Sequence, residues 1–388
     1  MSSTMPFKTI PIARPSFGLN EEKAVLEVLR SGWVSQGPCV AEFERKFAEY
    51  VGAAHAVAVS SCTTALHLAF LAAGVKPGDE VLCPSLSFIA TANAIVHAGA
   101  SPIFVDIDGS TYNMDPNCIE SAITPRTKAI LVVHQVGLPA PVAEISDIGS
   151  RHGLQIIEDA ACAIGAEYKG HRVGLPYTSM ACFSFHPRKV LTTGEGGMIT
   201  TADEELAVRL RSLRQHAMTV SDLARHSSSK LVIESYDEVG YNYRMTDLQA
   251  AIGLVQLQRL EEMLARRRAL ALRYSSSLSS LSWLVPPKEP ADCCHNFQSY
   301  MVRLQSDAPI TRDQLMQELL NRGVSSRRGV MAIHRESPYR SEKWDVRLPV
   351  TNLVTDATVI LPLFCDMTDE EQDYVIECLK QISRLARK

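Results

Sequence analysis

Residues Ala181 to Thr200 read ACFSFHPRKVLTTGEGGMIT, and the rest of the chain is interpreted around this stretch. Its first five residues form an apolar run that predicts a buried strand. Pro187 ends the run, and Lys189 follows before a turn rich in threonine and glycine leads into a second β-like run. A lysine presented just past a strand end is suited to act as an amine nucleophile, so we interpret Lys189 as the residue that performs the chemistry. The alternative is an ordinary surface lysine.

The bulk composition is that of an ordinary soluble globular protein. The chain has 388 residues, of which 46% are hydrophobic and 21% charged, and this length predicts two domains. The formal net charge of -4 gives no electrostatic basis for binding nucleic acid or an anionic membrane. We see no secretory signal at the N-terminus and no apolar run of bilayer-spanning length.

The 10 cysteines are scattered through apolar surroundings. They form no C-x-x-C pair, and the chain has no H-E-x-x-H motif, so we expect no metal site. Reduced cysteines that pack as small hydrophobic side chains are typical of a cytoplasmic protein, which is where we place this chain.

Short apolar runs alternate with helical segments through the first half of the chain. This alternation predicts an α/β fold whose sheet is mostly parallel and lies between helices. The predicted strands are Ala56 to Ser60, Glu80 to Cys83, Pro102 to Val105, Ala129 to Val133, Leu154 to Ile157, Ala181 to Phe185 and Met198 to Thr201. The predicted helices are Gly18 to Arg30, Glu42 to Val51, Ser61 to Gly74, Phe88 to Ala98, Asp115 to Ile123, Ala143 to His152 and Asp203 to Leu213.

The second half predicts a smaller α+β domain. We expect Arg214 to Val239 to form a long mobile loop, after which Thr246 and Gln249 make a capping box at the start of a long helix. We interpret the basic run Arg266 to Arg268 on that helix as a solvated face. The domains are then residues 1–255, an N-terminal arm and the large α/β domain, and residues 256–388, a linking helix and the small domain.

Two signals accompany the lysine. Ser61, Thr63 and Thr64 stand where a helix begins, and exposed amides with hydroxyls at a helix start make an anion site. Taken alone, a plain helix cap is the better explanation of these residues. Asp159 ends an apolar strand and could be a general base, a metal ligand or the partner of a buried cation, while Glu158 alternates to the opposite face and is assigned a structural role.

The combination of these signals predicts pyridoxal phosphate. An anion site at a helix start, the aromatic Phe88 after the next strand, an acid past one strand end and a lysine past another are the parts that this cofactor needs. A nucleotide-binding loop at GEGG is not supported, because a strand and not a helix follows it.

At this point the sequence resembles the DegT-type sugar aminotransferases, which are fold-type I pyridoxal-phosphate enzymes that aminate nucleotide-linked keto-sugars. The resemblance covers nearly the whole chain and rests on seven segments in the same order. They are GWVSQGP, FERKFAEYVGAAHAVAVSS, PSLSFIATANAI, EDAA, CFSFHPRKVLTTGEGGMI, GYNYRMTDLQAAIGLVQL and ILPLFCDMTDEEQDYV.

The resemblance implies a role for each matching residue. Lys189 would be the Schiff-base lysine, Asp159 would contact the pyridine nitrogen, and Phe88 would stack on the ring. The phosphate would be bound by Thr63, Thr64 and Ser184. Asn242 would reach the phosphate of a neighbouring subunit, which implies a homodimer with shared active sites.

Two cysteines depart from the family pattern. Cys62 stands where many relatives have glycine, just before the threonine that would bind the phosphate. The substitution leaves the backbone amide at this position available. Cys162 stands where many have glutamine, and a thiol does not reproduce the long amide's hydrogen bond to the cofactor ring oxygen.

The leading hypothesis is transfer of an amino group from an amino acid, glutamate in most of the family, to a nucleotide-linked keto-sugar through the pyridoxamine phosphate form. Lys189 would move the proton in both half-reactions. Alternatives are amination of a cyclitol or another non-nucleotide ketone, and a regulatory relative without turnover. A keto-sugar dehydratase is a further alternative, but members of that kind carry histidine where Lys189 stands.

The substrate would be chosen by the loops Ser31 to Pro38, Arg214 to Val239 and Arg327 to His334. Within them, Arg214, Arg327 and Arg328 are either partners for a diphosphate or solvated surface residues.

Overall fold

Strands and helices alternate along the chain in the computed structural model, which describes residues 9–174, 177–220, 231, 233–341 and 347–385. The strands are β1 (His55–Val59), β2 (Glu80–Pro84), β3 (Ser101–Val105), β4 (Thr127–Val133), β5 (Gln155–Asp159), β6 (Glu167–Tyr168), β7 (His171–Arg172), β8 (Met180–Ser184), β9 (Gly197–Thr201), β10 (Leu284–Val285), β11 (Cys293–Cys294), β12 (Tyr300–Leu304), β13 (Arg327–Arg328) and β14 (Thr358–Leu361). The α-helices are α1 (Leu19–Ser31), α2 (Pro38–Val51), α3 (Cys62–Ala72), α4 (Ala90–His97), α5 (Val142–His152), α6 (Glu204–Leu213), α7 (Asp247–Gln258), α8 (Leu260–Leu278), α9 (Arg312–Asn321), α10 (Pro349–Ala357) and α11 (Asp369–Leu385).

A seven-stranded sheet in the order β1-β9-β8-β5-β4-β2-β3 confirms the predicted α/β class. The pairs from β8 through β5, β4 and β2 to β3 are all parallel, and β9 runs antiparallel between β8 and β1. In the register of the sheet, Val133 lies beside Asp159, and Asp159 beside Cys182. The carboxyl ends of β4, β5 and β8 therefore meet at one edge, where parallel sheets bind their ligands.

A four-stranded antiparallel sheet, β10-β12-β14-β13, confirms the expected α+β character of the C-terminal part. Its core also includes Ile10, which forms a bridge with Val324. The proposed boundary after residue 255 falls within α7, and the core changes further along, within α8, which belongs to the proposed linking helix. Leu264 packs in a core beneath the large sheet, and Leu270 packs in the core of the small sheet.

The helix predicted over Asp115 to Ile123 is wrong, because that stretch forms two short 3₁₀ turns, Pro116–Cys118 and Glu120–Ala122. Ile123 already has extended backbone, and Pro125 disfavours helical backbone at Thr124, so the second turn does not continue beyond this point. The long helix begins at its predicted capping box of Thr246 and Gln249 but is divided at Arg259 into α7 and α8.

The stretch predicted as a long loop, Arg214 to Val239, lies partly outside the described residues, at 221–230 and 232. The described parts carry two isolated bridges, between Gln215 and Asn242 and between Met218 and Tyr236. No helix among the described residues is both long and apolar enough to cross a bilayer.

The interpretation of Arg266 to Arg268 as a solvated face is wrong for Arg267. Its side chain is buried and donates to the carbonyl oxygens of Phe297 at 2.9 Å, Gln298 at 2.7 Å and Leu363 at 3.2 Å. Burial lowers the pKa of Arg267, but backbone carbonyls take up its donors. The residue thus ties α8 to the segment before β12.

Arg214 is a structural residue, so both roles left open for it, a diphosphate partner and a solvated surface residue, are wrong. Its guanidinium is buried, pairs with the carboxylate of Glu44 and donates to the carbonyl of Ala58 at 2.6 Å. Glu44 also accepts from the amide of Ala58 at 2.8 Å. The pair joins the end of α6 to α2 and β1.

We predict that Arg214→Met lowers the free energy of unfolding by about 3–5 kcal/mol, because it leaves the Glu44 carboxylate buried without its closest cation. The matched control is Arg45→Met, which breaks exposed, solvent-screened pairs with Glu42 and Glu49 and should leave the free energy of unfolding almost unchanged. Urea unfolding measures both variants. Equal, small losses in the two would contradict a structural role for the Arg214 pair.

Candidate active site

A cavity of about 780 Å³ opens at the carboxyl ends of β4, β5 and β8. Most of the site residues predicted from the sequence line it. They are Cys62, Thr63, Phe88, Asp159, Cys162, Ser184 and Lys189. Thr64 and Asn242 do not line it. These seven residues come from four separate parts of the sequence, which the fold brings together at one edge of the sheet.

The N-terminus of α3 forms one end of the cavity. Ser61 caps the helix by accepting from the amide of Thr64 at 3.2 Å, and the Thr64 hydroxyl bonds back to the Ser61 carbonyl at 2.7 Å. Thr64 is therefore engaged in the cap, while Ser61 and Thr63 face the cavity. The first amides of a helix have no acceptor within the helix, so this end is suited to an anion such as phosphate.

Gly197 allows the lysine-bearing segment to approach this helix end. It pairs with both Val59 and Ser184 across the sheet. A Cβ at this position would lie 2.6 Å from the carbonyl carbon of Ser61 and 2.8 Å from the amide nitrogen of Cys62. The last glycine of GEGG, Gly197, is thus required because the backbone packs closely against the start of the helix.

The thiol of Cys62 points away from the helix end into the sheet. It contacts the carbonyl oxygen of Cys182 at 3.6 Å and is buried. Burial raises the pKa of this thiol well above its ordinary value, so the side chain remains a neutral packing group. The departure from glycine at this position leaves the helix amides in place.

Asp159 is a buried carboxylate at the floor of the cavity. Its Oδ2 accepts from the Thr91 hydroxyl at 2.9 Å and its Oδ1 from the Ala161 amide at 3.2 Å. The Ser87 hydroxyl lies 2.7 Å from the Thr91 oxygen and donates to it, because Thr91 gives its own proton to Asp159. Burial raises the pKa of Asp159, and these hydrogen bonds and the charge of Lys189 act against that rise.

Lys189 directs its amine at the same floor. Its Nζ lies 3.0 Å from the Sγ of Cys162, and its backbone amide donates to the carbonyl of His186 at 2.8 Å. Burial favours the neutral amine, but contact with Cys162 and the proximity of the Asp159 carboxylate act in the opposite direction, and the pKa of Lys189 is raised. Cys162, which departs from the family's glutamine, is thus the nearest partner of the lysine.

Two further predicted residues lie at the rim. Phe88 lines the cavity with 67% of its surface exposed, so its ring is accessible to a flat ligand in the cavity. Asn242 is exposed and lies outside the cavity of its own chain, where its backbone bridges to Gln215.

The structure adds residues that the sequence did not single out. Thr91 lies three residues after Phe88, on the first turn of α4. This spacing of a hydroxyl from the predicted ring-stacking residue could have identified Thr91 from the sequence. His134 donates from Nε2 to Glu158 at 2.7 Å, since its Nδ1 accepts from the Ala140 amide at 3.0 Å. That contact confirms the structural role assigned to Glu158.

These features fit pyridoxal phosphate. The buried carboxylate of Asp159 needs a cationic partner, which a protonated ring nitrogen provides. The helix end with Thr63 and Ser184 suits the phosphate, Phe88 offers a ring-sized apolar face, and Lys189 supplies the amine. No three metal-ligating side chains come together among the described residues.

Comparison with known proteins agrees with this geometry. Residues 15–380 match the model of the DegT/DnrJ/EryC1/StrS aminotransferase family. The aminotransferase TlmJ from Streptoalloteichus hindustanus is 35% identical, with a TM-score of 0.89 over 97% of this chain and 99% of that one. DesV from S. venezuelae, solved in complex with a ketimine intermediate, is 33% identical, with a TM-score of 0.87 over 97% and 99%.

A putative sugar aminotransferase from Streptococcus pneumoniae in its PMP form is 29% identical, with a TM-score of 0.90 over 97% of this chain and 98% of that one. The residues matched to the family model include every strand of both sheets. The chain therefore belongs to the DegT/DnrJ/EryC1/StrS aminotransferase family and is a pyridoxal-phosphate-dependent aminotransferase of fold type I.

Proposed function

We propose that the enzyme transfers an amino group from L-glutamate to a keto-sugar that carries a nucleotide diphosphate. The observation that carries this proposal is the pair of arginines on β13. Arg327 and Arg328 are exposed and line the same cavity as Lys189. Arg328 lies 3.2 Å from Glu336, and Arg327 has no acidic partner among the described residues. Guanidinium groups recognise phosphate oxygens through paired hydrogen bonds.

The sugar part of the proposal has support from the relatives. The protein from Streptococcus pneumoniae is described as a putative sugar aminotransferase, and PseC from Helicobacter pylori, with a TM-score of 0.91, as an aminotransferase in pseudoaminic acid biosynthesis. Lys189 disfavours the dehydratase alternative, which has histidine at that position.

The four residues at the floor of the cavity, Asp159, Thr91, Lys189 and Cys162, each have a role in the proposed reaction. The bound cofactor supplies an electron sink for the carbon that loses or gains a proton. The carboxylate of Asp159 stabilises the proton on the ring nitrogen, and Thr91 holds that carboxylate in place. The Lys189 amine takes the proton from the substrate carbon and returns it, as general base and then general acid. Cys162 holds the amine when it is free.

The remaining residues bind and shield. Thr63, Ser184 and the first amides of α3 would hold the phosphate, and Phe88 would pack on the ring and exclude water. Thr64 acts only through the cap, in which its amide donates to the Ser61 hydroxyl and its own hydroxyl to the Ser61 carbonyl. The pair of arginines on β13 orients the substrate, so that its keto carbon faces the lysine.

We propose in addition that the enzyme acts as a homodimer with shared active sites. Asn242 is exposed and lies outside its own cavity, so it is free to reach the phosphate site of a second copy. Helix α1 supports this, because Leu19, Leu26 and Leu29 are exposed on it.

We also propose that the protein is cytoplasmic. All ten cysteines are free, which suits a reducing compartment.

Absorbance titration tests the function. Glutamate should remove the visible absorption band of the holoenzyme, and a nucleotide-linked keto-sugar should restore it. If a cyclitol ketone restores the band and no nucleotide-linked keto-sugar of a broad panel does, the proposed substrate is wrong. If another amino acid removes the band and glutamate does not, the proposed donor is wrong.

Arg327→Ala should raise the KM for the nucleotide-linked substrate about 10- to 100-fold, because a hydrogen bond to a charged group contributes about 1.5–3 kcal/mol. The rate of the glutamate half-reaction should stay unchanged, since glutamate has no diphosphate. Arg384→Ala, on the exposed face of α11, is the matched control. An unchanged KM in Arg327→Ala would contradict a role in binding the diphosphate.

Thr91→Val tests the support of Asp159. The Thr91 hydroxyl lowers the pKa of Asp159, so its removal should raise that pKa and move the acid limb of the activity profile to higher pH. We expect the glutamate half-reaction to slow about 10-fold at neutral pH, and Asp159→Asn to slow it about 100-fold or more.

The matched control is Thr351→Val, which removes a buried hydroxyl that donates to Asp106 at 2.7 Å outside the cavity. This variant should lower stability without moving the pH profile. An identical profile in Thr91→Val and the parent enzyme would contradict the assigned role of Thr91.

A further inference from the structure

The backbone on both sides of Lys189 is held by one distant side chain. Gln298 lies just before β12, is 8% exposed and lines the cavity. Its Oε1 accepts from the amide of Val190 at 3.0 Å, and its Nε2 donates to the carbonyl of Arg188 at 2.6 Å. A primary amide offers an acceptor and a donor side by side, and here it uses both on the two residues that flank the lysine.

The backbone of Gln298 is itself held by hydrogen bonds. Its backbone amide donates to the Oδ1 of Asn296 at 2.8 Å, and its backbone carbonyl accepts from the buried Arg267 at 2.7 Å. Arg267 also binds the carbonyl of Phe297 at 2.9 Å. The segment 295–299 is therefore anchored on α8, which places the Gln298 side chain with little freedom.

The same segment also holds the partner of the lysine. The Nδ2 of Asn296 donates to the carbonyl of Cys162 at 2.7 Å and to that of Ile164 at 2.9 Å. The thiol of Cys162 lies 3.0 Å from the Nζ of Lys189. Two neighbouring amide side chains thus fix both ends of the contact between Lys189 and Cys162.

We propose that Gln298 is a positioning residue for Lys189, which fixes the two flanking peptide groups so that the amine returns to the same place in each half-reaction. The proposal rests on Lys189 being the lysine that moves the proton. A misplacement of about 1 Å in a catalytic group can cost about 100-fold in rate, so a contact that does not touch substrate can still govern turnover.

Two variants separate the two hydrogen bonds. Gln298→Leu removes both, whereas Gln298→Glu keeps an acceptor for Val190 but offers no donor to Arg188. We expect kcat of the glutamate half-reaction to fall about 10- to 100-fold in both variants, with KM for glutamate changed by less than about 3-fold. Because this half-reaction does not involve the keto-sugar, an error in the proposed sugar substrate leaves the result unaffected.

Hydrogen exchange of the holoenzyme gives a second readout. The amide of Val190 should exchange faster in Gln298→Leu and close to the parent rate in Gln298→Glu, which keeps its acceptor. The matched control is Gln372→Leu, a fully buried glutamine whose Nε2 donates to the carbonyl of Leu270 at 2.7 Å. It should lower Tm while it leaves both kcat and the exchange of Val190 unchanged.

Unchanged kcat in Gln298→Leu, or an equal fall of kcat in Gln372→Leu, would overturn the positioning role. If Gln298→Leu does not fold, Gln298→Glu decides alone. In that variant a lower kcat with a parental KM supports the proposal, and a parental kcat overturns it.

Discussion

The buried carboxylate of Asp159 is the constraint on which the rest of the site depends. A charge at the end of β5, shielded from water, is costly unless hydrogen bonds and an opposite charge compensate for it. Thr91 and Ala161 supply the hydrogen bonds at 2.9 Å and 3.2 Å, and Lys189 supplies part of the charge. Under the proposed function, the protonated ring nitrogen of the cofactor would complete the compensation.

The parallel sheet converts this local requirement into a site. The strands β4, β5 and β8 end at the same edge of the sheet. Asp159 and the segment that carries Lys189 are therefore adjacent, although the two residues are 30 positions apart in the sequence. The antiparallel return of β9 brings Gly197 beneath the start of α3, where any side chain would collide with the backbone of Ser61 and Cys62. The start of α3 and the segment that carries Lys189 are thus held close together by the close approach at Gly197.

Much of the fold and of the site was predictable from local patterns. Each strand of the large sheet coincides with an apolar run, and Lys189 and Asp159 stand out because they follow such runs directly. The capping interactions of Ser61 and Thr246 also follow from local sequence. Thr64 illustrates the limit, since the same hydroxyl can bind an anion or close the cap, and only the structure shows it in the cap.

Contacts over long sequence distances were not predictable in this way. Arg214 and Glu44 are 170 residues apart, so nothing near Arg214 indicated that its guanidinium is buried in an ion pair. Gln298 is 108 residues from Val190, and a lone glutamine before a strand carries no signal of its own. Arg267 looked solvated because arginines surround it, yet carbonyl groups from another part of the chain bury it.

The central claim is that Lys189 is the residue that bonds to the cofactor. Borohydride reduction of the holoenzyme, followed by digestion and mass spectrometry, tests it most directly. We predict that the added mass of the reduced cofactor is found on the peptide that contains Lys189, and that Lys189→Arg shows no such addition. Cofactor mass on a different lysine of the parent enzyme, or its persistence in Lys189→Arg, would contradict the account.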